Sequence, residues 1–387
     1  MPPIPRTAGL STLALHGGAD EGAGAPGSPI VPPLFQSVNY VQQIGQEEGL
    51  KYGRYGNTPN LELVQRRLAM LEGSEDALIL SSGMGATACG LLALLRPGDH
   101  ILSSSWIYGG TRRLLTEEFA GLGIEVTLVD PMDMRAWRRN IRTRTRAIFV
   151  ETPVNPTCRV LDLRTVSQIS SEQGIALVVD STFASPINFR PLEHGADVVI
   201  QSATKYLNGH HDILGGAVMG TASYIDEVRQ KMILWGQAAD PFACWLLERG
   251  MKTLAVRVER QNANALRLAE WCAEHSAFAR VHYPGLPGHP DHAVAKETLD
   301  GFGGMMAIEL TGGAEATDRF VRRLTLVKHA ASLGGVDSLF SEPRYSSHAH
   351  MSSEERAAIG IPDGFLRVSV GLENVEDLIA DFERALD

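Results

Sequence analysis

An amine and a carboxylate define the chemistry this chain can be asked to do. Lys205 ends the run Ser202-Ala203-Thr204-Lys205, and Asp180 ends Leu177-Val178-Val179-Asp180 some 25 residues earlier. A lysine amine condenses with an aldehyde, and a carboxylate can hold a proton on a heteroaromatic ring nitrogen. Ser202 and Thr204 add two hydroxyls beside the lysine, of a kind that holds a phosphate. By residue type alone the bland alternatives stay open: a solvated surface lysine, and an aspartate that merely caps or turns the chain.

The elements that would position these groups are short. Leu177–Val179 and Val198–Ile200 are apolar, valine-rich and too brief for helices, so they read as fully buried strands. In open α/β sheets ligands sit outside the carboxyl ends of strands, so the acid and the amine would face one crevice. That combination suits pyridoxal 5'-phosphate (PLP), which needs a lysine at its aldehyde and a carboxylate at its pyridine nitrogen.

Ser202-Ala203-Thr204-Lys205-Tyr206-Leu207-Asn208-Gly209-His210, with Val179-Asp180-Ser181-Thr182-Phe183 upstream, resembles the trans-sulfuration family of fold-type I PLP enzymes. Cystathionine γ-synthase, cystathionine γ- and β-lyases and methionine γ-lyase belong to it. The resemblance covers nearly the whole chain. It implies an α/β, aspartate aminotransferase-like fold, with a large, mostly parallel sheet domain and a smaller α+β C-terminal domain.

Size and composition agree with a folded enzyme. The 387 residues exceed what one compact core usually holds, and 44% hydrophobic with 21% charged residues is ordinary globular usage. We expect an arm over residues 1–60 that contacts a neighbouring subunit, a PLP-binding domain over 61–250 and a C-terminal domain over 251–387. A net charge of −10 argues against nucleic acid or an anionic membrane as partner. Cys89, Cys158, Cys244 and Cys272 form no C-x-x-C pair, residues 1–10 lack a signal peptide's apolar region, and no long apolar run is present. A cytoplasmic protein is expected.

Within the arm, residues 22–33 are rich in turn formers and residues 35–41 look strand-like. Tyr52-Gly53-Arg54 resembles the family's Tyr-x-Arg motif, which implies that Tyr52 and Arg54 bind the cofactor phosphate of a partner chain. A homodimer that shares its active sites, assembled into a tetramer, follows from the resemblance. On residue type alone Arg54 is equally a surface charge. Thr58 and Pro59 read as the cap and first residue of a helix with Leu61, Val64, Leu68 and Leu71 on one face and Gly73 at its end.

Ser81-Ser82-Gly83-Met84-Gly85 joins a short strand to an apolar helix, a junction suited to an anion. Gly83-x-Gly85-x-x-Ala88 also fits the dinucleotide fingerprint, but residues 101–105 end without the required acid. By resemblance Gly83 and Met84 donate to the PLP phosphate, Tyr108 stacks on the ring and assists the leaving group, and Asn155 bonds the ring oxygen. Gly110 stands where methionine γ-lyases carry a cysteine, which speaks against that activity. His210, His211 and Asp212, or His289 and His292, lack the ligand cluster a metal site needs, so no metal is expected.

A long helix is expected from about Arg249 to Cys272. Beyond it Arg367, alternating with apolar neighbours, reads as lying on the polar face of a strand; a guanidinium fork suits an amino-acid carboxylate, and an edge charge is the alternative. The resemblance makes Ser332 its helper and puts Asp337 where relatives carry a glutamate that meets the substrate's far end. Ser341 to His348 also departs from the family wording. Together these imply catalytic roles for Lys205, Tyr108 and Asp180, and substrate contacts from Asn155, Ser332, Asp337 and Arg367. The expected reaction is γ-elimination on a homoserine-derived amino acid, cystathionine γ-lyase-like. The alternatives are γ-replacement on an O-acylhomoserine with cysteine, a canavanine-like substrate, or a PLP-binding protein without catalysis.

Overall fold

The computed structural model describes residues 4–19, 25–45, 49–347, 349 and 351–387. Residues 1–3, the first part of the turn-rich 22–33 stretch and His348 lie outside them.

The first sheet comprises β1 (Asp76–Leu80), β2 (His100–Ser104), β3 (Glu125–Val129), β4 (Thr145–Glu151), β5 (Ala176–Asp180), β6 (Val198–Gln201) and β7 (Gly216–Gly220). Its order is β1-β7-β6-β5-β4-β2-β3, with β3, β2, β4, β5 and β6 mutually parallel and β7 antiparallel to both of its neighbours. Alternation along the strands feeds two cores. Phe149 and Val178 pack in one, while Ile148, Val150, Leu177 and Val179 pack in the other. Both faces are therefore covered, which is why these strands are continuous apolar runs.

A second sheet, β8 (Phe278–His282), β9 (Met305–Leu310), β10 (Lys328–His329), β11 (Leu339–Ser341) and β12 (Phe365–Ser369), has the order β10-β11-β12-β9-β8. The helix Leu254–Glu274 leads into it, and Ala265, Leu268 and Cys272 of that helix pack in its core. The helical run expected from Arg249 is broken. One helix ends at Met251 and the next starts at Leu254, with Thr253 at φ −107°, ψ 9° between them.

Two expectations near the N-terminus need correction. Residues 35–41 form no strand and contribute only the isolated bridge Asn39↔Tyr52. The stretch taken as arm also contains a helix, α1 (Leu10–His16), whose Leu13 and Ala14 are buried in the main core. It has no capping side chain and spans two turns, so it carries no signature that sequence could show.

The helix α2 (Pro59–Glu72) forms as expected, closed by Gly73 in the left-handed region. Thr58 occupies the cap position without capping: its hydroxyl makes no bond to the first turn and is buried without a partner. Burial decides the outcome. Leu61, Val64, Leu68 and Leu71 are at most 2% exposed, at about 1.5–3 kcal/mol each, against about 1 kcal/mol for a cap.

Candidate active site

Because β4, β5 and β6 are adjacent and parallel, Glu151, Asp180 and Gln201 end at one edge of the sheet. The chain leaves β6 through Ser202 and turns at Lys205. Lys205 Nζ donates to Ser332 Oγ at 2.8 Å, and the Ser332 carbonyl accepts from Arg367 Nη2 at 2.8 Å. Arg367 Nη1 donates to Asn155 Oδ1 at 3.1 Å. One line of contacts thus joins the loops of the first sheet to β12 of the second. Ser332 holds φ at +81°, where a β-carbon is strained, a conformation that clusters at functional sites.

Arg367 is not the edge charge that its alternation left open. β12 lies between β11 and β9, and Arg367 is buried. Burial draws its guanidinium down to about 10, still cationic at neutral pH. Burial also lowers Lys205, to about 8, with the Arg367 charge acting in the same direction. Asp180 keeps some exposed surface, yet desolvation raises its carboxyl, opposed by hydrogen bonds from Thr182.

At the anion end, α3 (Gly83–Leu94) opens with Ser82 Oγ accepting from Gly85 N. Among the described residues the amides of Gly83 and Met84 take no acceptor. A β-carbon at Gly83 would lie 2.8 Å from Ser202 Oγ, so only glycine leaves this cradle open. The Ser202 amide donates to Thr182 Oγ1 at 2.9 Å, which fixes the lysine-bearing turn to the strand before it. The Thr204 hydroxyl, by contrast, is engaged by Gly215, accepting from its amide at 3.0 Å and donating to its carbonyl at 3.3 Å.

Tyr108 is 42% exposed while its amide is anchored on Glu151. A β-carbon at Gly110 would stand 2.5 Å from that ring and 3.2 Å from Met84 Sδ. A cysteine here would push the tyrosine aside.

Three expected site residues stand apart from this group within the chain. Arg54 is exposed, between the rings of Tyr52 and Tyr55 at 5.8 and 5.7 Å, and donates to the Ile233 carbonyl. Tyr52 packs edge-on against Tyr55. Asp337 has a 69% exposed side chain and reaches His211 Nε2 at 3.9 Å.

Two residues of this neighbourhood escaped the sequence. Thr182 sits two positions after Asp180, where a hydroxyl reads as a turn former. Glu151 ends β4 directly opposite Asp180, and only the pairing of the strands shows it.

The groups present fit PLP in kind. A desolvated amine suits an aldehyde, a partly desolvated acid suits a pyridinium, and a glycine-lined helix N-terminus beside the Ser202 hydroxyl suits a phosphate. A PLP-dependent enzyme is the class that fold and site define. The family model described as "Cys/Met metabolism PLP-dependent enzyme" matches residues 11–387, and the chain belongs to that family, whose cofactor is PLP. The chain is 40% identical to the L-methionine gamma-lyase of Porphyromonas gingivalis, covering 98% of this chain and 97% of the relative. It is 40% identical to the cystathionine beta-lyase of Coxiella burnetii, covering 97% of each. Among solved structures, cystathionine gamma synthase from Xanthomonas oryzae pv. oryzae, in complex with aminoacrylate and cysteine, superposes with a TM-score of 0.93, at 37% identity over 98% of both chains. The protein is therefore an enzyme of carbon–sulfur amino-acid metabolism. No helix among the described residues is long and apolar enough to cross a membrane.

Proposed function

We propose that the chain breaks the bond between Cγ and a heteroatom in homoserine-derived amino acids, cystathionine first among them. With cystathionine, one water is consumed and cysteine, 2-oxobutanoate and ammonia are released. The observation that carries this reading is the contact line Lys205–Ser332–Arg367–Asn155, which sets a proton-moving amine beside a carboxylate-binding fork. PLP, when bound, supplies the electrophilic carbon for the substrate amine and an electron sink.

The remaining work falls to the side chains. Arg367 and Ser332 receive the α-carboxylate, which orients Cα toward Lys205. Lys205, largely desolvated, takes the proton from Cα and moves the next one at Cβ. Asp180 holds the proton on the ring nitrogen. Tyr108 hands a proton to the departing sulfur. Gly110, which leaves the Tyr108 ring its present room, favours cystathionine over methionine as substrate, and exposed Asp337 is suited to meet a distal ammonium.

The second reading is γ-replacement, favoured by the likeness to the cystathionine gamma synthase structure. Arg54 is exposed and held by the Ile233 carbonyl and two tyrosine rings, and Ile30, Val41 and Ile44 are almost fully exposed, which supports a second copy that accepts this arm, and a tetramer built from such dimers. Four free, buried cysteines support a reducing, cytoplasmic setting.

The test is incubation of holoenzyme with cystathionine, methionine, canavanine, and O-acetyl- or O-succinylhomoserine plus cysteine, read by mass spectrometry. 2-Oxobutanoate and cysteine from cystathionine are expected; pyruvate as the sole 2-oxo acid would overturn the γ-carbon assignment.

A further inference from the structure

Glu151 is 5% exposed and takes no part in the steps above. Its Oε2 accepts the amide of Tyr108 at 2.6 Å and its Oε1 accepts the amide of Asn155 at 2.8 Å. Tyr108 belongs to the segment after β2 and Asn155 to the loop after β4. A single carboxylate therefore ties together the two loops that carry the leaving-group tyrosine and the carboxylate-side asparagine. In the β4–β5 ladder the same residue stands opposite Asp180.

We propose that Glu151 is a positioning residue, which fixes Tyr108 and Asn155 relative to each other and sets a second carboxyl behind Asp180. The inference rests on the site assignment above. Two N–H donors on two oxygens use both oxygens as acceptors, which a carboxyl can offer and an amide cannot. Burial, and after it the Asp180 charge, push this carboxyl up to about 8, while the Asn155 and Tyr108 amides hold it down. The groups around it are Asp180 from β5, Tyr108 from the segment after β2, Asn155 from its own loop, and Arg367 of β12 behind the Asn155 side chain.

Glutamine at this position keeps the shape but offers one acceptor oxygen; its amide nitrogen would face a donor. One loop then loses its anchor and the second titrating carboxyl is gone. The Glu151→Gln holoenzyme is expected to retain its visible PLP band while kcat falls about tenfold or more and KM changes by less than about threefold, since misplacement acts on the reacting geometry. The pH midpoint of that band should move down, because the variant lacks the carboxyl whose ionisation as pH rises through about 8 opposes proton release. Glu151→Asp keeps the carboxyl but withdraws it by one methylene, so it should lower kcat and leave the midpoint near that of the native enzyme.

Unchanged kcat and an unchanged midpoint in Glu151→Gln would overturn the proposal. Loss of PLP from a folded Glu151→Gln chain would also overturn it, because cofactor retention would then be the role. If the glutamine variant does not fold, Glu151→Asp decides: native kcat refutes the proposal, and lowered kcat with a native midpoint supports it. A native protein without a visible band would instead refute the site assignment itself.

Discussion

The crevice and the arm are built on opposite principles. Around Lys205 a chain of hydrogen bonds runs through the site: Ser332 Oγ accepts from the amine, the Ser332 carbonyl and the Asn155 side chain accept from Arg367, and Glu151 accepts the Asn155 amide. The arm instead leaves Val41, Ile44 and Arg54 exposed. The contacts of the first region are made within one chain. The second has side chains suited to a surface this chain does not supply. Chemistry that needs fixed distances has been placed on rigid strand ends, and the contact expected to join two chains on a segment with little regular structure of its own.

The contrast can be broken most severely at the centre. Lys205→Ala should lower turnover by about 10³-fold or more and abolish the visible PLP band, because general acid–base transfer and the covalent anchor vanish together. Turnover and absorbance on the same sample check this.

A smaller effect sharpens the electrostatic side. Arg367→Ala should raise KM for the amino acid by about 100-fold, the order expected for a charge-assisted carboxylate contact. It should also move the pH dependence of cofactor reconstitution. Condensation needs the free amine, so the rate of PLP uptake by apoenzyme should rise with pH through about 8 in the native chain. Arg367 is one of the two influences that lower this amine, burial being the larger, so its removal should shift the midpoint upward. A midpoint that stayed in place would detach the two residues.

The arm should give the mildest change. Arg54→Ala should weaken PLP retention by about tenfold, the order of one charge-assisted bond, with the crevice contacts intact. Co-refolding Arg54→Ala with Lys205→Ala chains should restore part of the activity, since a mixed dimer carries one site with neither lesion. Verified mixed dimers with no recovery would show that the arm serves its own chain.

Much of this arrangement could be read from the chain of letters, for a physical reason in each case. Asp180 and Lys205 follow valine runs that can only be buried strands, and a strand end exposes what comes next. Pro59, the spacing of Leu61 to Leu71 and Gly73 report a helix because those are local rules. The actual bonding of Thr58 was hidden, since a hydroxyl at a cap position says nothing about whether packing lets it turn inward.

Arg367 shows the same limit from the other side. Alternation marked a strand but not its place in the sheet, so buried fork and edge charge looked alike until β11 and β9 were seen to flank it. Glu151 could not be picked out at all, because its partners Tyr108 and Asp180 lie 43 and 29 residues away and meet it only through the order β5-β4-β2. Sequence by itself determined which groups the protein carries and which local elements hold them, because helix, strand and turn rules act over a few residues. Tertiary structure alone decided which carboxylate faces which, and which amine loses its water, because register and desolvation are properties of neighbours that the chain brings from far away.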